Sequence, residues 1–275
     1  MWRKLCAMYK RVFLLIAVVF IIPAGVFAVF PQETLPTIEP TSEVNGVKRI
    51  SLFTPEEILE KSDMIRSPNF DFSVEVIITS FRSNRETTVS RYETMIKEKD
   101  KTLVKSVYPP RDKGRIILMR GWDLWIYLPT VSRPIRISPR ERLFGEVSYG
   151  DIARINFTHD YNPVLLGIEK IDEKEYYVLE LNAENERVTY HKVIYFVEKN
   201  TFNPFKAEFY AVSGILLKEC LYEDYRYVLG ESRPMKLIIT DKLVKGKKSI
   251  MEYKNMTKAD WPEKIFNKFY LKKLK

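Results

Sequence analysis

From residue 70 the chain alternates. Phe70, Phe72, Val74, Val76 and Ile78 are separated by Asp71, Ser73 and Glu75, the period of two that lays one side of a strand on a core. Apolar and β-branched runs follow at 87–97, 102–107, 115–120, 122–128 and 134–138. More come at 165–171, 176–182, 188–198, 204–212, 216–227, 235–243 and 248–255. Their punctuation is short, as at Arg120-Gly121, Ser213-Gly214 and Lys245-Gly246, the kind that closes hairpins. So many strands with few helices between them predict an antiparallel sheet.

Two segments carry helix signals instead. Thr54-Pro55-Glu56-Glu57 combines an N-cap, a proline at the first helical position and a capping-box glutamate. This predicts a helix over 55–66, with Ile58, Leu59, Ile65 and the stem of Lys61 on its apolar side. A second short helix is expected over 148–157, where Asp151 stands three residues after Ser148 and can serve as its capping partner.

Several strands are apolar on both faces. Trp122, Leu124, Ile126 and Leu128 oppose Trp125 and Tyr127; Ile117 and Met119 oppose Ile116 and Leu118; Val193, Tyr195 and Val197 oppose Ile194 and Phe196. A sheet with one wet face alternates more cleanly. Two arrangements explain this: a sheet packed on a helix layer with aromatics scattered on its far side, or a curved sheet around an apolar cavity of lipid size.

The first thirty residues change the picture. Arg3, Lys4, Lys10 and Arg11 precede an apolar run over 12–30, and no acidic residue occurs before Glu33. This is the layout of a secretory signal with a cleavage-like triplet ending at Ala28, or of an uncleaved anchor at the lower length limit for spanning a bilayer. Both place Pro31 onward outside the cytoplasm. The expected organisation is a signal or anchor over 1–30, a Pro-containing linker over 31–52 and one folded domain over 53–275. Cleavage would lower the net charge from +9 to +5, because Arg3, Lys4, Lys10 and Arg11 leave. Cys220 would then be the only cysteine, which reads as a buried, inert thiol.

The middle of the chain carries an ordered set of motifs. Lys113-Gly114-Arg115-Ile116-Ile117-Leu118 is followed by Asp123-Leu124-Trp125-Ile126-Tyr127-Leu128-Pro129. Arg133 and Arg136-Ile137-Ser138 come next, then Leu143-Phe144-Gly145-Glu146-Val147-Ser148-Tyr149-Gly150-Asp151-Ile152. With the Tyr176–Leu181 strand and the 199–210 segment, this succession resembles the outer-membrane lipoprotein-sorting family, the relatives of the LolA and LolB carriers. It departs from the family where Gly145-Glu146-Val147 replaces Gly-Ser-Asp and where the paired arginines read Arg133 and Arg136. The resemblance implies a mainly β (α+β) fold. Its curved antiparallel sheet of about eleven strands forms an unclosed β-barrel, a half-barrel with a few covering helices. It also implies a non-enzymatic carrier whose cavity shields acyl chains. The helices over 55–66 and 148–157 would be plug and lid, the latter with Tyr149, Ile152 and Phe157 inward. The expected lipid-binding cavity residues are Val76, Ile78, Ile117, Met119, Trp125, Tyr127, Phe144, Tyr149, Ile152 and Leu179, each of which fits ordinary core packing as well.

No catalytic motif accompanies this pattern. G-x-S-x-G, H-E-x-x-H and C-x-x-C are missing from the sequence, and two histidines cannot build a multi-histidine metal site. No cofactor or metal is expected. Lysines and arginines cluster at 111–142, 242–248 and 268–275. With an export signal, such charge fits anionic lipid headgroups better than nucleic acid. The expected partners are a lipid or acylated lipoprotein, a membrane surface and, as a variant, a membrane exporter complex; nucleic acid is not one of them. The competing reading is a membrane-tethered envelope sensor on the same fold, binding a lipid signal and a protein partner.

Overall fold

The computed structural model describes residues 51–153 and 156–274. The expected signal or anchor over 1–30 and the linker up to residue 50 lie outside the described residues. Among those described, no helix is long and apolar enough to cross a membrane.

Local chemistry accounts for the first element, α1 (Pro55–Arg66). The Thr54 hydroxyl accepts from the Glu57 amide and the Glu57 carboxylate accepts from the Thr54 amide, so two otherwise orphaned donors are met. Ile58, Leu59 and Ile65 are buried as expected; Ser62 and Asp63 are buried with them.

Two meanders follow. The first runs β1 (Phe72–Arg82), β2 (Thr88–Lys97), β3 (Lys101–Tyr108), β4 (Ile116–Arg120), β5 (Asp123–Tyr127) and β6 (Ile135–Arg136). A two-stranded ribbon, β7 (Arg142–Phe144) and β8 (Val147–Ser148), then leads into α2 (Tyr149–Ala153). The second meander runs β9 (Tyr161–Ile171), β10 (Lys174–Ala183), β11 (Lys192–Glu198), β12 (Pro204–Tyr210), β13 (Leu216–Val228), β14 (Glu231–Asp241) and β15 (Lys247–Lys258). Antiparallel pairing of β1 with β15, Ile78 opposite Met251, joins the meanders into one thirteen-stranded sheet with β6 and β9 at its edges. The sheet is curved and unclosed, a half-barrel with two strands more than the family resemblance implied.

Several boundaries differ from the sequence reading, each for a physical reason. β14 begins at Glu231 and contains Pro234. The β14–β15 pairing starts only at Lys236, so Pro234 lies where β14 is flanked by β13 alone, an edge position that tolerates proline. Residues 188–191 lie outside β11, and Thr189 and Tyr190 turn inward to pack beside α2. The described part of the second helix is Tyr149–Ala153, shorter than the expected 148–157, and Arg154 and Ile155 lie outside the described residues. The ribbon β7–β8 and the 3-10 turns Glu263–Phe266 and Leu271–Leu274 carry too few residues for any period to show.

The sheet buries both faces over part of its width. The inner face holds the main core, to which α1, α2 and every strand of the second meander contribute. On the outer face of β3–β5, Leu103, Ile116, Leu118 and Tyr127 form a second cluster. The C-terminal Ile265, Phe266 and Leu271 cover it. This explains why those strands are apolar on both sides.

Candidate functional site

The inner face is a trough, and the sheet pairing decides which side chains enter it. Val76, Ile78, Ile117, Met119, Tyr149, Ile152 and Leu179 are brought together there, all buried, and Phe144 packs against them half-buried. Trp125 and Tyr127 are not with them. In the β4–β5 register Ile117 faces Ile126 and Met119 faces Leu124, so Leu124 and Ile126 supply the inner face. Trp125 and Tyr127 stand opposite Leu118 and Ile116 on the outer one. They belong to the cluster under the C-terminal turns. The ambiguity is that of a doubly apolar strand, where sequence alone does not decide which parity faces inward.

Three elements fill the trough: α1, the ribbon β7–β8 and α2. The ribbon approaches β1 and β15 closely at Gly145. Its φ is +57°, and an added Cβ would lie 2.4 Å from the Ser249 hydroxyl and 2.7 Å from Ser80. A side chain at 145 is therefore excluded twice, by conformation and by space. Gly150 of α2 sits equally close to Thr189, 2.0 Å from its hydroxyl by the same construction.

Polar groups that no apolar period reveals hold these fillers in place. Asp151 is the hub for α2. Its Oδ2 accepts from the Ser148 amide (2.8 Å) and the Lys218 ammonium (2.9 Å), and its Oδ1 accepts from the Tyr190 hydroxyl (2.6 Å). Burial and the neighbouring Asp151 push the Tyr190 hydroxyl far above its ordinary pKa, so it stays a donor. Lys218 also donates to the Glu146 carbonyl at 2.8 Å, tying the ribbon to the same post.

A second set fixes α1. The Ser62 hydroxyl lies 2.8 Å from that of Tyr195. Asp63 pairs with Arg66 at 2.9 Å and accepts from Thr158. Arg233, buried on β14, donates to the carbonyls of Met64 (2.6 Å) and Ile65 (2.9 Å), completing the C-terminal end of the helix. Arg66 itself lies under the Phe157 ring, 3.9 Å from its centroid, and 5.7 Å from that of Tyr222. Burial works against its charge, but the Tyr222 and Tyr195 oxygens and Asp63 outweigh it, so the guanidinium is held protonated.

Between α1, α2 and the sheet the space that remains is small. Two cavities of about 40 and 50 Å³ share Arg66, Asp151, Tyr222 and Leu237 as walls. Each has room for a few water molecules and falls far below ordinary ligand pockets of roughly 300–1,000 Å³. Here α1, α2 and the ribbon cover the trough. Burial pushes the Cys220 thiol well up, which makes it unreactive. Among the described residues no three His, Cys, Asp or Glu side chains are grouped to hold a metal ion.

Comparison with known proteins agrees with this geometry. A LolA superfamily protein from Nitrosomonas europaea superposes with a TM-score of 0.77 at 45% identity, covering 79% of this chain and 99% of its own. A domain described as outer membrane lipoprotein-sorting protein from Vibrio parahaemolyticus matches at 0.67 and 24% identity, over 79% of this chain and 98% of that one. A DUF1329 family protein from Desulfovibrio piger matches at 0.69 and 20% identity, over 79% and 97%. These last two share the fold. Comparison with curated proteins gives no match. A family model described as "-like: Uncharacterized protein" matches residues 98–273. With this half-barrel, and with that identity over nearly the whole length of the Nitrosomonas protein, the chain belongs to the LolA superfamily.

Proposed function

We propose that this protein is an extracytoplasmic carrier that shields the acyl chains of a lipid or lipoprotein in the trough, without catalysis. One observation carries the reading. The apolar inner face runs from β1 to β15, yet what covers it is two short helices and a ribbon, held by a few polar hubs. Burying an acyl chain stabilises the bound state by about 0.8 kcal/mol per CH₂. A long chain thus supplies enough to displace helices fixed by hydrogen bonds worth about 1–3 kcal/mol each. The covered trough keeps that surface from water when no cargo is present.

The expected partner surface is a membrane. Phe269 is 80% exposed at the C-terminal end, among Lys264, Lys268, Lys272 and Lys273. Each lysine near an anionic bilayer contributes about 1 kcal/mol.

The test is native mass spectrometry of the full chain, isolated from its source membranes, with organic extraction of whatever is bound. A bound lipid or acylated peptide is expected, lost in Met119→Asp and retained in Trp125→Ser, whose side chain belongs to the outer face. A ligand-free protein that takes up no fluorescent fatty acid would overturn the carrier reading.

A further inference from the structure

A larger cavity, of about 550 Å³, lies beyond the trough and shares Thr189, Tyr190 and Lys218 with its wall. That volume suits a small polar group with part of its tail. The Lys218 charge is already met by Asp151. The remaining charges are those of two arginines and two carboxyl groups.

Arg140 donates to the carbonyls of Glu186 (2.8 Å) and Val188 (3.3 Å). Neutral acceptors hold the guanidinium in place and leave its charge uncancelled. No carboxylate pairs with it among the described residues. Arg142, about half exposed, forms an ion pair with Glu146 at 3.5 Å.

The Asp241 carboxylate accepts from the amides of Leu243 (2.7 Å) and Val244 (2.9 Å). Burial would raise its pKa; these amides, a hydrogen bond from the Glu146 carboxyl group and the nearby Lys247 charge outweigh burial and keep it ionised. Among the described residues no Lys or Arg pairs with it within 4 Å. Glu146 is 6% exposed; burial and the hydrogen bond it shares with Asp241 raise its pKa, and its Oε1 has no partner among the described residues.

We infer that this cavity takes the phosphoethanolamine headgroup of a phospholipid, phosphate against Arg140 and Arg142 and ammonium against Asp241 and Glu146. A phosphate alone would face two carboxyl groups, and an amine alone would face two guanidinium groups. A zwitterion meets both kinds of group. A primary ammonium brings N–H donors, one of which meets the Glu146 Oε1 that has no partner among the described residues, and a quaternary amine brings none. Exposed Val212 and Leu243 supply apolar surface at the same cavity. The shared Tyr190 wall would lead the acyl chains toward the trough. The inference rests on the carrier reading and narrows its cargo.

The experiment uses the full chain in detergent micelles doped with dioleoyl phosphatidylethanolamine or dioleoyl phosphatidylglycerol, with lipid retention read by native mass spectrometry. The ethanolamine lipid is expected to be retained at least about tenfold better. Arg142→Ala and Asp241→Asn are each expected to reduce it to the glycerol lipid's level, with Arg140→Gln as a second variant on the phosphate side. Equal retention of the two lipids, or a preference that survives all three substitutions, overturns the headgroup site. If the protein still takes up a fluorescent fatty acid in that case, the carrier reading stands without it; if it takes up neither, both fall. Displacement of the lipid by equimolar soluble phosphoethanolamine would assign the site to the free headgroup and overturn the lipid assignment.

Discussion

Asp63 and Thr158 are joined twice. The Thr158 amide at 2.6 Å and its hydroxyl at 2.7 Å both donate to Oδ2 of Asp63. One residue belongs to α1 and the other to the segment that follows α2, so one carboxyl group couples the two fillers of the trough. Burial raises the Asp63 pKa, and Arg66 and Thr158 offset only part of that. The native state therefore keeps this proton to higher pH than the unfolded chain, and stability falls as pH climbs from the ordinary carboxylate value through the raised one. Asp63→Asn removes that slope. Urea midpoints from pH 3 to 7 are expected to shift in favour of the variant as pH rises; parallel curves would show that Asp63 does not titrate in this window.

Tyr190→Phe removes one of the bonds holding α2 and keeps the ring against Phe209, whose centroid lies 4.4 Å away. Loss of a hydrogen bond to a carboxylate costs about 1.5–3 kcal/mol, visible as a lower urea midpoint. Uptake of a fluorescent fatty acid is expected to quicken in the same variant. Unchanged uptake with a lower midpoint would make Asp151 a structural hub only.

Arg233→Met leaves the last carbonyls of α1 without their buried donor, at a cost of about 1–3 kcal/mol. Hydrogen exchange is the discriminating measurement. The α1 amides are expected to lose protection while those of β14 and β15 keep it. Uniform loss over the whole sheet would mean that α1 and the sheet open as one unit.

Phe266→Ala opens a void beneath Ile116, Leu118 and Tyr127 on the outer face and is expected to cost about 3–5 kcal/mol. Equilibrium lipid binding by the folded protein should be unchanged, because the inner face is not touched. A folded variant that loses lipid would place the outer cluster in the binding path.

The sequence was most legible where structure is local. Thr54, Pro55 and Glu57 specify α1 to the residue, since cap, proline and capping box act within one turn. The alternation in β1 predicted its buried side from Phe72 to Ile78. Legibility failed where the cause lies far along the chain. Trp125 and Tyr127 are apolar because Phe266 and Leu271 cover them, and those residues sit in short 3-10 turns without a period. The polar hubs were hidden for another reason. Asp63, Asp151, Lys218 and Arg233 look like surface charges in one dimension, and only packing shows that their partners are buried. Gly145 stood out as a motif position, but its reason is the hydroxyl of Ser249 across the trough.

The join between β1 and β15 also has a kinetic meaning. Each meander forms from neighbours in sequence, by hairpins that close quickly. Bringing Ile78 to Met251 closes a loop that contains nearly all the rest of the sheet, and the chain entropy of that step rises with loop length. Folding is then governed by one late encounter between two preassembled halves. Until it happens, two apolar strand edges stand open to solvent, and this is the interval in which a nascent chain is most exposed to aggregation.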